Sequence, residues 1–138
     1  MKENRAQELD VKAFLDRLME FTVNDVYRAK LRIAKELLAV DADRRTIVRL
    51  LGNGVEAFNS VPTAIYCFLR KYESFRETMV YAISLGGDTD TIASMTGAIS
   101  GAYHGVNAIP KEWLEKLERK DYIKRLAEEL WKLKTGIV

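Results

Sequence analysis

The sequence predicts an all-α protein, an irregular orthogonal helical bundle. Apolar residues recur at three- and four-residue spacing in nearly every segment. Helix-capping residues stand directly before those segments, and no stretch alternates apolar and polar residues as a half-buried strand does. Residues 6–20, with Phe21 just beyond, place Leu9, Ala13, Phe14, Leu18 and Phe21 on one helical face. Asn24 or Asp25 can cap a second helix carrying Val26, Tyr27, Leu31, Ile33, Ala34, Leu37 and Leu38, because a short side-chain oxygen satisfies the free amides of a first turn. Asp41 or Asp43 can cap a short third helix ending near Leu51. Gly52-Asn53-Gly54 breaks the chain where glycines permit positive φ and close backbone approach.

Ser60 followed by Pro62 marks the next helix start, since proline suits a first turn where its missing N–H is not needed. Ser74-Phe75-Arg76-Glu77 is a capping box opening a helix that stops before Gly86. A small-residue helix follows from about 91 to 104. Pro110 opens a helix with Trp113, Leu114 and Leu117, and Asp121 precedes a last one with Ile123, Leu126, Leu130 and Leu133 inward. The Lys, Arg and Glu of that last stretch read as a solvated face. The segments 61–71 and 91–104 have little polar face, which places them in the middle of a bundle and demands cover on every side. No repeat of solenoid period occurs.

At 138 residues the chain suits a single domain or part of one. With 48% apolar and 30% charged residues it has a globular balance. A net charge of +2 with evenly spread Lys and Arg argues against nucleic acid or an anionic membrane as partner. Residues 91–110 carry no full charge and space Gly97, Gly101 and Gly105 as membrane helices do, but Thr91, Ser94, Thr96, Ser100, His104 and Asn107 interrupt the run. The single cysteine, Cys67, lies in an apolar run and reads as a buried small hydrophobe rather than a nucleophile. Nothing at the N-terminus resembles a signal peptide, so a cytoplasmic protein is expected.

The segment Gly86-Gly87-Asp88-Thr89-Asp90-Thr91 departs from core-and-surface patterning. Two carboxylates two residues apart in a turn can converge on one cation, with the Thr91 hydroxyl adding a neutral ligand. These are hard oxygen donors, suited to Mg²⁺, Mn²⁺ or Ca²⁺ rather than zinc. An N-cap alone would also explain one aspartate, but a cap needs one oxygen and four are present. An EF-hand is excluded, because Ala93 and Ile99 stand where its glycine and glutamate belong. Asp41-Ala42-Asp43, followed by two arginines, reads as a surface cap, and His104 as a core histidine bonded to backbone. A glycosyltransferase Asp-x-Asp would follow a strand, and none is predicted.

The block Gly86-Gly87-Asp88-Thr89-Asp90-Thr91-Ile92-Ala93, continuing through Gly97-Ala98-Ile99 to Gly101-Ala102-Tyr103-His104-Gly105, resembles the C-terminal metal signature of the ADP-ribosylhydrolases. That family is typified by the dinitrogenase reductase-activating glycohydrolase. A second block, Leu51-Gly52-Asn53-Gly54-Val55-Glu56-Ala57-Phe58-Asn59-Ser60-Val61-Pro62 running on to Arg70, is most similar to the branch that removes ADP-ribose from serine and trims poly(ADP-ribose). The resemblance spans residues 45–135, with leading helices in 1–44. It implies an all-α, Mg²⁺-dependent hydrolase with two ions (Mn²⁺ the alternative) that cleaves the glycosidic bond of ADP-ribose. Asp88, Asp90 and Thr91 match metal ligands, with Asp88 and Asp90 also catalytic. Asn53, Gly54, Val55 and Ser60 match the ADP-ribose loop, 52–60. Family enzymes are more than twice this length, and their N-terminal half supplies a Thr-Asp-Asp ligand set, a glutamate and a phosphate-binding glycine loop. The resemblance therefore implies a C-terminal half-site, completed by a second polypeptide or an N-terminal segment and weakly active or inactive alone. A non-catalytic ADP-ribose-binding or structural relative is the alternative.

Overall fold

In the computed structural model, which describes residues 8–136, the described residues form helices and connecting turns with no strand. The chain divides into two compact units, residues 1–108 and 109–138. The first contains α1 (Val11–Phe21), α2 (Asp25–Ala39), α3 (Arg44–Leu51), α4 (Ala57–Arg70), α5 (Phe75–Ser84), α6 (Thr89–His104) and a 3₁₀ turn, Val106–Ala108. The second contains α7 (Lys111–Lys116) and α8 (Lys120–Thr135).

Side-chain oxygens set most helix starts. Asp10 accepts from the Ala13 amide at 2.9 Å and Asn24 from Val26 at 2.9 Å. Asp43 accepts from Arg45 and Thr46 at 2.9 and 3.1 Å, and Ser74 from Glu77 at 3.3 Å. The expected caps at Asn24, Asp43 and Ser74 are thus made. The first helix begins later than the periodicity suggests, at Val11 behind its Asp10 cap. Its core residue is Leu15, while Phe21 points outward, 89% exposed, at the turn into α2.

Helix α4 is the axis of the first unit. It packs on α2, α3, α5 and α6. Pro62, Thr63, Ala64, Tyr66, Cys67, Phe68 and Leu69 are all buried. One core cluster joins Ala34 and Leu37 of α2, Ile47 and Leu51 of α3, Ala64, Tyr66 and Cys67 of α4, Ala82 and Leu85, and Ile92 and Ala93 of α6. A second gathers Leu15, Leu31, Phe68 and Leu69. The α4 start differs from the expectation at Ser60-Pro62. The helix begins one turn earlier, at Ala57, and Pro62 lies inside it. The amides of Asn59 and Ser60 already bond to the Glu56 carbonyl at 2.8 and 2.9 Å, so the first turn is closed before the proline arrives.

The all-round apolar reading of α6 holds only in part. Ile92, Ala93, Thr96 and Ser100 are buried, but Ser94, Ala98 and Ala102 are exposed along one face. The small residues do admit close neighbours from α5. A Cβ on Gly97 would stand 3.1 Å from the Met79 sulfur, and one on Gly101 would touch the Phe75 ring. His104 bonds the Tyr72 carbonyl at 2.6 Å, the core role expected for it.

In the second unit α8 begins at Lys120, one residue before Asp121. Its side chains Ile123, Leu126, Leu130 and Leu133, expected inward, are exposed. An amphipathic stripe records that a face can be buried but not what would bury it, and the six-residue α7 is too small to cover a sixteen-residue helix. The polar face is solvated as expected, with Lys124–Glu128 and Arg125–Glu129 pairs at 3.9 and 4.0 Å.

Burial pushes the Cys67 thiol up to about 12. Between the usual thiol value of 9.0 and about 12, the unfolded chain releases this proton and the folded one keeps it. Folding stability therefore declines as pH rises above the usual value, by as much as about 1.4 kcal/mol per pH unit from this group. Urea titrations from neutral to alkaline pH measure that slope, and Cys67→Ala flattens it. In the same folded protein, disulfide-exchange reagents label Cys67 only after denaturant is added.

Candidate active site

Two loops that lie thirty residues apart in the chain meet in the first unit, and one residue joins them. Helix α3 ends where the Gly52 amide bonds the Val48 carbonyl at 3.0 Å, and Gly52, at φ +90°, redirects the chain. Asn53 then reaches the turn between α5 and α6 twice. Its backbone carbonyl accepts the Asp88 amide at 2.8 Å, and its side-chain amide donates to the Leu85 carbonyl at 3.0 Å. Gly86 and Gly87, at φ +70° and +71°, shape the turn to receive it. A Cβ on Gly87 would fall 2.1 Å from the Asn53 carbonyl oxygen, so only glycine allows this approach.

The far side of the loop is held as firmly. Thr63 of α4 donates its hydroxyl to the Gly52 carbonyl at 2.6 Å. Lys30 of α2 donates to the carbonyls of Leu50 and Leu51 at 2.9 and 2.7 Å and to the Asn59 side-chain oxygen at 3.4 Å. Asn59 in turn donates to the Glu56 carboxylate at 3.1 Å. Partial burial holds the Lys30 ammonium below its ordinary value.

At the mouth of α6, Asp88 occupies the N-cap position, but its carboxylate makes no cap hydrogen bond. It lies instead within hydrogen-bonding reach of Asp90. Asp90 is held below the ordinary carboxylate range, first by the Asp88 carboxyl and then by its own and the Thr91 backbone N–H groups. Asp90 and Thr91 are exposed. Val55 is 77% exposed at the crest of the loop, with Gly54 beside it. Ser60 is buried, its hydroxyl bonded to the Glu56 carbonyl at 3.3 Å.

The model of the ADP-ribosylglycohydrolase family matches residues 2–136. This chain belongs to that family. It is 47% identical over 115 residues to ADP-ribosylhydrolase ARH3 of Bos taurus, an alignment covering 75% of this chain and 32% of the relative. The Homo sapiens ADP-ribosylhydrolase ARH3 is 45% identical over the same length, covering 75% of this chain and 32% of the relative. The ADP-ribosylarginine hydrolase Tri1 of Serratia proteamaculans is 33% identical over 88 residues, 64% of this chain and 23% of its own. The chain spans about a third of the length of the ARH3 relatives.

For an ADP-ribosylglycohydrolase chain the donor chemistry at the turn fits a divalent cation in kind but not in number. Asp88, Asp90 and Thr91 offer hard oxygens, and the Asp88 carboxylate is not spent on its own helix. Among the described residues, however, no group of three or more His, Cys, Asp or Glu side chains comes together. The sequence placed Asn53, Gly54, Val55 and Ser60 on one loop, 52–60, and Asp88, Asp90 and Thr91 on another, but α4 starts at Ala57 and takes Ser60 into its first turn. The structure joins the two loops and buries Ser60 behind the first. Lys30 and Thr63 escaped the sequence reading. The signal for Lys30 was a lysine four residues before Ala34 and seven before Leu37, on the flank of a helix face that is otherwise buried.

Adjacent glycines separate strain from clash. Gly86→Ala meets only ordinary contact and should cost about 1–2 kcal/mol for left-handed backbone alone. Gly87→Ala carries the same strain and also drives a methyl into the Asn53 carbonyl. It should cost at least twice as much and accelerate hydrogen exchange of the Asp88 amide. Urea unfolding and amide exchange of the two variants measure both effects.

Proposed function

We propose that this chain supplies the C-terminal part of an active site that hydrolyses the glycosidic bond between ADP-ribose and a protein side chain or a further ADP-ribose. The clasp between Asn53 and Asp88, which joins the nucleotide loop to the acidic turn, carries this reading. Asp88, Asp90 and Thr91 would hold Mg²⁺ or Mn²⁺, two ions in the completed site. That metal would supply charge to bind ribose hydroxyls and lower the pKa of a water. The backbone of Gly54 and Val55, with Asn53 behind it and Ser60 supporting the helix start, faces the nucleotide.

In the reaction, a water oxygen bonds to the anomeric carbon and the bond to the leaving oxygen breaks. Asp90, ionised at neutral pH, would take the water's proton, and that same proton would pass to the leaving oxygen, so that free ADP-ribose and the released hydroxyl result from one water. The remaining ligands come from a second polypeptide or an N-terminal segment, because two carboxylates and a hydroxyl do not fill a six-coordinate shell. A non-catalytic ADP-ribose-binding module is the second reading, since two carboxylates and a hydroxyl alone do not complete a metal shell.

Calorimetry with ADP-ribose separates these readings. The half-site predicts that Mg²⁺ tightens binding and that Asp90→Asn removes this increment, about tenfold in affinity or 1.4 kcal/mol. Binding that ignores both Mg²⁺ and Asp90→Asn identifies the non-catalytic module. No binding under either condition overturns both.

A further inference from the structure

Lys30 lies outside both blocks that carry the family resemblance, yet it holds both stems of the loop between α3 and α4. Its ammonium has three N–H donors and meets three acceptors: the Leu50 and Leu51 carbonyls at the end of α3, and the Asn59 side chain in the first turn of α4. The first two are carbonyls that a helix C-terminus leaves without an intrahelical partner, where a cation is favoured. The third belongs to the side chain lying over Gly52, whose absent Cβ would stand 2.4 Å from the same Asn59 oxygen. One cation thus pins the residues on either side of 52–58. That loop contributes the Asn53 carbonyl to the Asp88 amide. No carboxylate pairs with Lys30 among the bonds of the described residues, so its charge is spent on backbone and amide oxygens.

We propose that Lys30 is a positioning residue for ADP-ribose, setting the height of loop 52–58 against the acidic turn without touching the ligand. The proposal rests on the ADP-ribose reading of that loop. Lys30→Met keeps the aliphatic stem and removes the three donors. Lys30→Arg restores donors of similar charge. Lys35→Met, on the same helix, removes a different tie, the ion pair to Asp16, and serves as the structural control.

Hydrogen exchange and ADP-ribose calorimetry with Mg²⁺ are measured on the full chain. In Lys30→Met, exchange of the Asp88 amide and of residues 53–59 should rise about tenfold, with α1 and α5 unchanged. The ADP-ribose dissociation constant should weaken by a similar factor. Lys30→Arg should recover most of both, and Lys35→Met should move neither. Unchanged exchange at Asp88 overturns the proposal, as does faster exchange with unaltered affinity, or exchange raised uniformly through the fold. Failure of the unaltered chain to bind ADP-ribose overturns the proposed function instead, and exchange alone then decides whether Lys30 holds the loop.

Discussion

Asn53 satisfies two backbone groups that adjoining helix ends leave open. The N–H of Asp88, at the start of α6, finds its partner in the Asn53 carbonyl, and the Leu85 carbonyl, at the end of α5, finds its partner in the Asn53 side chain. Without those two bonds the Asp88 N–H and the Leu85 C=O would lose their partners in a half-buried turn, at roughly 1–3 kcal/mol each where water does not replace them. The dependence runs both ways. The carbonyl can approach only because Gly87 has no side chain, and Asn53 is delivered only because Gly52 turns the end of α3 with positive φ. The position of the acidic turn is therefore set by residues that precede it by more than thirty positions.

That clasp needs a rigid base, and α4 provides it. Most of its residues from Ser60 to Leu69 are buried, against four other helices. Burial on this scale also explains how an interior proline is tolerated. Pro62 removes one helical hydrogen bond, a loss of about 3 kcal/mol in an isolated helix. Here the earlier amides of the turn are already bonded to Glu56, and the ring is packed in the core. The neighbouring Thr63 turns the same segment to use at the site, since its buried hydroxyl fixes the Gly52 carbonyl. Core and site share one helix, so a substitution on α4 that preserves volume but removes the Thr63 hydroxyl would loosen the loop while leaving the core filled.

Much of this was legible from residue order alone. Caps at Asn24, Asp43 and Ser74, the glycine breaks and the buried Cys67 follow from local chemistry, because each depends on neighbours a few positions away. The acidic turn stood out for the same reason, whereas loop 52–60 was assigned to the site only through the family resemblance. The contact between them was not visible, because a carbonyl meeting an amide thirty-five residues later leaves no mark on either residue type. Lys30 left only its place beside a buried helix face, since its partners are two backbone oxygens and an amide. The start of α4 misled because Pro62 suits a first turn, and only the Glu56 carbonyl reveals that the turn had already closed. The stripe on α8 misled because periodicity describes one surface of a contact and is silent about the other.

The helix starts of the first unit separate into two groups. Those of α1, α2, α3 and α5 have side-chain caps, and the uncharged pair, Asn24 and Ser74, contributes about 1 kcal/mol each. Those of α4 and α6 have none, although Glu56 and Asp88 stand in the capping positions. These two starts are the ones that follow the glycine loop and the acidic turn. An Asp at an N-cap that declines the amides behind it gives up a stabilising bond that the same residue type makes at Asp10 and Asp43. The Asp88 carboxyl lies beside Asp90 instead. The fold is thus least self-sufficient where its two recognisable blocks converge. Local deficits of this kind persist when the surrounding structure over-determines them, and here the Asn53 bonds and the close approach at Gly87 do so.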